Sequence, residues 1–205
     1  MIQPIAKLLF VERYCRPDDG WSVFVDIDPS EEGRTGSARQ SEQARARLDL
    51  MRLDAPRAVR ELVGMGACVG RRKAQWGACF GPTLPLPPGD RDIIAVHRDR
   101  KQLWIVEVEG DSSGQPEGKI YRAVGQLVCA LSEVVVPGLE RWLSLVVAGE
   151  SAARHLARVR AIAALGIAGL VIQEDSQQDR WLFGEAPPNL ALHRTGGSRC
   201  SPPGR

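Results

Sequence analysis

Residues 89–131, GDRDIIAVHRDRKQLWIVEVEGDSSGQPEGKIYRAVGQLVCAL, are the stretch from which the expected fold of this chain follows. Their pattern predicts an apolar strand that begins at Asp92, a polar turn at 98–100, and a second apolar strand that ends in Glu107 and Glu109. A loop rich in Gly and Ser comes next, followed by an amphipathic helix. Because side chains alternate between the two faces of a strand, Glu107 and Glu109 are expected to share one side.

Three carboxylates are expected to converge at one end of this hairpin. If the two strands pair across the turn, Asp92 returns to the level of Glu107 and Glu109. Like charges at such close range repel each other, so a core holds them together only with a counter-ion. A divalent cation is the obvious counter-ion, and ligation by oxygen alone favours a hard ion such as Mg²⁺.

The hairpin and its acidic residues resemble the PD-(D/E)XK nuclease superfamily, whose fold is restriction-endonuclease-like. Asp92 matches the motif aspartate of that family and Glu107 its second acidic residue. Glu109 stands where the family usually has a lysine, although some restriction enzymes of this fold have an acidic residue there. The resemblance implies an α/β fold with a central mixed sheet flanked by helices, built as an α-β-β-β-α-β core with an extra helix and strand.

The segments before the hairpin are expected to supply the first elements of this core. Residues 2–14 are compatible with a helix or a strand, whereas 21–27 and 75–80 are expected to be strands. A polar helix over 37–53 precedes a separate helix that begins at Asp54 and continues to about 65. The second helix is defined by an N-cap, a first-turn proline and three buried positions, which are Asp54, Pro56, Val59, Leu62 and Val63.

The segments after the hairpin alternate between helices and apolar strands. Helices are predicted at 119–131 and 151–165, and buried strands at 143–148 and 167–173. Such alternation implies a sheet with a parallel portion that is covered on both faces. We expect one domain over residues 1–184, and a disordered tail over 185–205 because Pro, Gly and Ser dominate there.

The resemblance implies hydrolysis of phosphodiester bonds in nucleic acid, most simply as an endonuclease acting on DNA. Asp92, Glu107 and the carbonyl of Val108 would hold Mg²⁺ or Mn²⁺, which neutralises the phosphate and activates a water molecule. The missing lysine leaves two alternatives: Glu109 is the base or a second ligand, or Lys119 of the following helix reaches back into the site. The candidate auxiliary residues are Glu61, with Glu42 as the alternative on the preceding helix, and Gln126.

Basic residues on both sides of the motif are candidates for contacts with backbone phosphates. Arginine outnumbers lysine in this chain, for which the base composition of the genome is the simpler explanation. Its planar guanidinium group nevertheless binds two phosphate oxygens at once. The predicted contacts comprise a short basic run, two turn residues and one helix residue, which are Arg71, Arg72, Lys73, Arg98, Arg100 and Arg122. Asp26 and Asp28 form a further D-x-D pair, for which a solvated strand end is the simpler interpretation.

Composition limits the other function classes. The 205 residues are 43% hydrophobic and 25% charged, and the net charge of +2 is too small to indicate nucleic acid by itself. The five cysteines lack metal-ligand spacing, and neither a signal peptide nor a membrane span is predicted, so we expect a cytoplasmic protein without a membrane partner. A homodimer is left open. One alternative function is a nuclease-fold protein that has lost catalysis and acts as a nucleic-acid-binding or interaction module. The other is a non-nucleolytic α/β domain in which the acidic cluster binds a structural ion.

Overall fold

The computed structural model describes residues 1–27, 42–70, 79–80, 91–110, 116–133 and 136–187. For residues 42–48, 116 and 133 it describes only the backbone. Across these ranges the protein has an α/β architecture, in which helices pack on both faces of one mixed sheet. This confirms the expected class of fold.

The helices and strands follow each other in an α/β order. The helices are α1 (Gln3–Tyr14), α2 (Glu42–Gly64), α3 (Pro116–Glu133) and α4 (Glu150–Arg158). The strands are β1 (Trp21–Asp26), β2 (Cys68–Gly70), β3 (Ile93–His97), β4 (Gln102–Glu109), β5 (Glu140–Ala148), β6 (Ile167–Ile172) and β7 (Arg180–Phe183). The segment over residues 2–14, for which the sequence allowed two structures, is therefore a helix.

The sheet has the strand order β2-β1-β3-β4-β5-β6-β7. Strand β3 runs antiparallel to both of its neighbours, β1 and β4. Strands β4, β5 and β6 run parallel to one another. β2 pairs parallel with β1, and β7 pairs antiparallel with β6. Helices α3 and α4 make the crossovers between the parallel strands, as a parallel connection requires.

The predicted hairpin is present as β3 and β4. Ile93 pairs with Val106 and His97 with Gln102, so the position opposite Asp92 is Glu107. A four-residue turn joins the strands, and Lys101 adopts a left-handed φ of 54° within it. The register thus brings Asp92 level with Glu107, as the sequence predicted.

Each face of β4 belongs to a different hydrophobic core. Trp104, Val106 and Val108 pack with α1 and α2, whereas Leu103 and Ile105 pack with α3 and α4. The central side chain of the first core is the fully buried Trp104, whose ring meets aromatic rings of α1 and whose Nε1 donates a hydrogen bond of 2.9 Å to Ser144 Oγ. By alternation along the strand, Glu107 and Glu109 lie on the face that α3 covers.

The predicted break between two helices at Asp54 is wrong, because α2 continues through this position with Pro56 inside it. Pro56 removes one backbone donor, but Ala55, Ala58 and Leu62 are fully buried on either side of it, and their packing holds the helix in one piece. The prediction that Val63 faces inward is also wrong, since this side chain is 55% exposed.

The predicted strand over 75–80 does not supply the partner of the hairpin. Residues 75–78 lie outside the described part of the chain, and Cys79 and Phe80 are helical. The neighbour of β3 is instead β1, with Val25 opposite Ile93. The expected tail over 185–205 lies outside the described residues from position 188 onward.

Among the described residues, none of the helices has the length and apolar character needed to cross a lipid bilayer.

Candidate functional site

The acidic residues of the hairpin meet at the edge of the sheet where β4 ends. Asp92 precedes β3 by one residue, and its Oδ2 accepts a hydrogen bond of 2.7 Å from the backbone N–H of Val108. The backbone of Asp92 is fixed as well, because its carbonyl accepts a hydrogen bond of 2.8 Å from the N–H of Asp26 in β1. Three neighbouring strands therefore determine where the Asp92 carboxylate lies.

Helix α1 brings a buried lysine to this carboxylate. The Lys7 ammonium group has no solvent exposure, and it lies 2.7 Å from Asp92 Oδ1 and 2.6 Å from the Asp26 carbonyl oxygen. Gln3, one helical turn earlier, places its Nε2 atom 3.4 Å from each oxygen of Asp92. The first two turns of α1 thus form one wall of the site.

Glu107 is buried and faces a buried arginine. Its Oε1 atom lies 3.9 Å from Arg91 Nη1, which is too long for a hydrogen bond, and no hydrogen-bond partner reaches this oxygen. Burial raises the pKa of Glu107 well above its ordinary range, and the neighbouring charge of Asp92 raises it further, against the opposing charges of Arg91 and Lys7. The cost of burying this charge is therefore only partly offset by the arginine.

Glu109 faces the first turn of α3. Lys119 Nζ lies 3.6 Å from Glu109 Oε2, and this buried oxygen has no hydrogen-bond partner. Burial raises the pKa of Glu109, the charge of Lys119 lowers it, and that of Asp92 raises it. Of the two alternatives for the missing strand lysine, Lys119 does reach the carboxylate that stands in its place.

Each of the three carboxylates faces a cationic side chain of the protein itself. The pairs are Lys7 with Asp92, Arg91 with Glu107 and Lys119 with Glu109. These side chains supply counter-ions from within the protein, and the expected divalent cation stays a prediction of the sequence. A metal ion at this site would add to the positive charge that these three side chains already supply.

The residues nevertheless fit a hard divalent cation. Glu107 Oε1 and Glu109 Oε2 are buried oxygen atoms that accept no hydrogen bond, and such atoms are what a cation would coordinate. Mg²⁺ typically binds through one or two carboxylates and keeps several water molecules. Within the described ranges no group of three or more His, Cys, Asp or Glu side chains is arranged to hold a metal ion. The fit is therefore to a cation that binds one or two of these carboxylates and takes its remaining ligands from water and substrate.

The candidate auxiliary residues Glu61 and Gln126 lie on α2 and α3. Glu61 is exposed on α2 and lies 3.8 Å from Arg57 in an ion pair along the same helix. Gln126 is half-buried on α3, two turns beyond Lys119 and thus about 10 Å farther along the helix axis. The backbone of Glu42 belongs to α2, but its side chain lies outside the described part of the protein.

The predicted phosphate contacts are distributed over different parts of the molecule. Arg122 is exposed on α3, one turn from Lys119. Arg98 and Arg100 lie in the hairpin turn, roughly 20 Å from Asp92 at the other end of β3, so they do not flank the carboxylates. Arg98 instead donates a hydrogen bond of 2.8 Å to the Phe80 carbonyl. Arg71, Arg72, Lys73 and Asp28 lie outside the described residues.

Sequence reasoning missed the residues that complete the site, namely Lys7, Gln3 and Arg91. A signal for Lys7 was present, because it is the one charged residue within the apolar run PIAKLLFV of α1. A lysine at a core-facing helix position needs a buried partner. Which partner it finds depends on the tertiary structure, since 85 positions separate residues 7 and 92 in the sequence.

Comparison with known proteins found no match. No family model, no curated protein and no solved structure matches the chain.

Proposed function

We propose that this protein hydrolyses phosphodiester bonds of nucleic acid, in the first place DNA, with Mg²⁺ or Mn²⁺ held by Asp92 and Glu107. The observation that carries the proposal is the pairing of these two carboxylates at one level of the β3–β4 hairpin. One oxygen of Glu107 is buried there without a hydrogen-bond donor. Two acidic groups so close together, one of them with a raised pKa, are typical of functional sites.

The order of elements supports a restriction-endonuclease-like core. Taken in sequence, α1, β1, β3, β4, α3 and β5 follow the α-β-β-β-α-β order of that superfamily, and β1, β3, β4 and β5 are direct neighbours in the sheet. In this interpretation α2 and β2 are an insertion between the first and second core strands. The first core helix is then α1, which carries Lys7.

The chemistry is divided between the cation and the side chains around it. When bound, a divalent cation neutralises phosphoryl oxygens and makes a bound water molecule more acidic. Lys7 and the Val108 N–H hold one oxygen each of Asp92, which fixes the orientation of that carboxylate. Arg91 and Lys119 are the cationic side chains beside Glu107 and Glu109, and they would stabilise negative charge that develops on a phosphate bound there.

The second candidate function is nucleic-acid binding without hydrolysis. It is favoured by the pairing of each carboxylate with a cationic side chain, because a site that is already balanced does not require a metal ion. The two functions differ in what a divalent cation does: hydrolysis depends on it, whereas simple binding proceeds in its absence.

A cleavage assay with purified protein distinguishes them. We expect duplex DNA, single-stranded DNA or RNA to be cut in the presence of Mg²⁺ or Mn²⁺ but not with EDTA, and Glu107→Gln to abolish cutting. The matched control is Glu140→Gln, an exposed glutamate at the opposite edge of the sheet, which should cut like the wild type. Binding without cutting would support the second function, and neither binding nor cutting would contradict both. The expected cytoplasmic location and a homodimer stay predictions of the sequence.

A further inference from the structure

We propose that Lys119 exchanges partners when nucleic acid binds, leaving the Glu109 carboxylate for a backbone phosphate so that Glu109 becomes available to a divalent cation. This inference rests on the proposed function. It goes further by making the binding of the cation and the binding of nucleic acid depend on each other through one lysine.

Lys119 and Glu109 form an ion pair whose contact distance is long. Its Nζ–Oε2 distance of 3.6 Å exceeds the length of a hydrogen bond, and the Glu109 oxygen is buried without any other hydrogen-bond partner. The Lys119 side chain is 35% exposed, whereas that of Glu109 is 13% exposed. A loosely held ammonium group that reaches solvent can move to a new anion, and the carboxylate that it leaves behind stays inside the site.

Lys7 does not share this freedom. Its ammonium group has no solvent exposure and is bound at 2.7 Å by Asp92 and at 2.6 Å by the Asp26 carbonyl. Moving it would break two short contacts inside the core. Lys7 therefore stays with Asp92 in every state of the site, and Lys119 is the lysine that changes its partner.

Competition for one oxygen links the two ligands. In the free protein a cation that approaches Glu109 meets an ammonium group already beside Oε2, with the charge of Lys7 also acting on this carboxylate. A phosphodiester offers Lys119 another anion, which removes the competitor. By thermodynamic reciprocity each ligand then raises the affinity for the other by the same factor, typically about 5-fold to 150-fold.

The first test measures Ca²⁺ binding to the protein without nucleic acid, by calorimetry. Ca²⁺ has the same preference for oxygen ligands as Mg²⁺. We expect Lys119→Met to bind Ca²⁺ about 10-fold more tightly than the wild type, because the competing ammonium group is gone. The control is Arg160→Met, which removes an exposed positive charge in the segment between α4 and β6. It should bind Ca²⁺ like the wild type.

The second test measures the coupling itself. Fluorescence anisotropy of a labelled DNA duplex with and without Ca²⁺ gives the coupling factor, and a gel of the same samples confirms that the DNA is intact. We expect the factor to be clearly smaller for Lys119→Met than for the wild type and for Arg160→Met.

Equal Ca²⁺ affinities of the wild type and Lys119→Met, or equal coupling factors, would overturn the exchange while leaving metal-dependent cleavage untouched. Absence of Ca²⁺ binding with and without DNA would overturn the exchange together with the proposed hydrolysis. The two failures are therefore distinguishable.

Discussion

Lys7 is a charged side chain without contact to solvent. Removal of an ammonium group from water costs several kcal/mol, which only a close anion and further hydrogen bonds offset. The Asp92 carboxylate and the Asp26 carbonyl provide them here. The stability lost on removing one partner of this ion pair is consequently expected to depend strongly on whether the other partner is present.

Removal of Asp92 alone should be severely destabilising. We expect Asp92→Ala to lower the free energy of unfolding by about 3–5 kcal/mol, because it leaves the buried Lys7 charge without its anion. Lys7→Met combined with Asp92→Ala should lose less than the sum of the single changes, by about 0.5–3 kcal/mol. Urea unfolding of the four proteins measures this coupling.

The exposed pair of Arg52 and Asp49 on α2 is the control for that cycle. Its side chains are 61% and 68% exposed, and such pairs contribute little to stability. Strict additivity at Lys7 and Asp92, as at the control pair, would mean that the ion pair does not hold α1 to the hairpin.

Glu107 should make stability depend on pH. Burial and the Asp92 charge raise its pKa in the folded protein above the ordinary value of 4.5. The folded state therefore binds the proton more tightly, so the stabilising contribution is fully present below that value and is lost as the pH rises through the raised pKa. Glu107→Gln has no charge to bury, so its stability relative to the wild type should improve as the pH rises.

Thermal melts at about pH 4 and about pH 8 check this sign. The difference in melting temperature between Glu107→Gln and the wild type should shift in favour of the variant at the higher pH. The exposed Glu140→Gln should show no comparable shift. A shift in the opposite direction at Glu107 would mean that Arg91 outweighs burial.

The N-terminus of α1 is packed tightly against the end of β4. A Cβ atom added at Gly110 would come within 2.8 Å of Gln3 Cα and 2.9 Å of the Ile2 carbonyl carbon, and closer still to the backbone nitrogen of Gln3. All three are backbone atoms, which cannot turn away. Only glycine lets the helix and the strand approach closely enough for Lys7 and Gln3 to reach Asp92.

Gly110→Ala should therefore destabilise the protein by about 1–3 kcal/mol, the usual cost of overpacking. Gly125→Ala is the matched control, because a Cβ there has no neighbour within 4 Å and the residue lies inside α3. That change should stabilise the protein by up to about 1 kcal/mol, since alanine favours a helix over glycine. Urea unfolding measures both, and a neutral Gly110→Ala would refute the close approach.

The C-terminal end of α1 is bound to the segment between β6 and β7. Asp179 accepts hydrogen bonds from Arg13 at 2.9 Å, from Tyr14 at 2.9 Å and from the backbone N–H of Gln173 at 2.9 Å. The Asp179 side chain has no solvent exposure. Since both ends of the helix are bound to carboxylates, Asp92 at one end and the buried Asp179 at the other, α1 is held along its length in the position that Lys7 needs.

Much of the molecule follows from local sequence patterns. Alternation and turn chemistry predicted β3 and β4 with the register that brings Asp92 level with Glu107, and apolar runs predicted β5 and β6. These are short-range signals within single segments. The sequence also offered, as one of two alternatives, a Lys119 that reaches back into the site, and the structure places its ammonium group 3.6 Å from Glu109.

The parts that failed depend on contacts between distant segments. Pro56 suggested a helix start, but the burial of Ala58 and Leu62 against the rest of the core keeps α2 continuous. The sequence predicted that the strand next to β3 in the sheet would be the segment directly before it in the chain. The neighbour is instead β1, which precedes α2 in the sequence. Lys7 escaped notice for the same reason, since nothing near it in the chain indicates that its anion is Asp92.

The hydrogen bonds between Gln3 and Asp92 span 89 positions of the chain. A contact over such a distance forms only after a large loop has closed, which makes it slow compared with the formation of a single helix or hairpin. Asp92 cannot receive Lys7 until β3 and β4 have paired and α1 has docked on them. The complete site therefore forms only once this long-range contact is in place, so whatever chemistry the site performs is confined to protein that has finished folding.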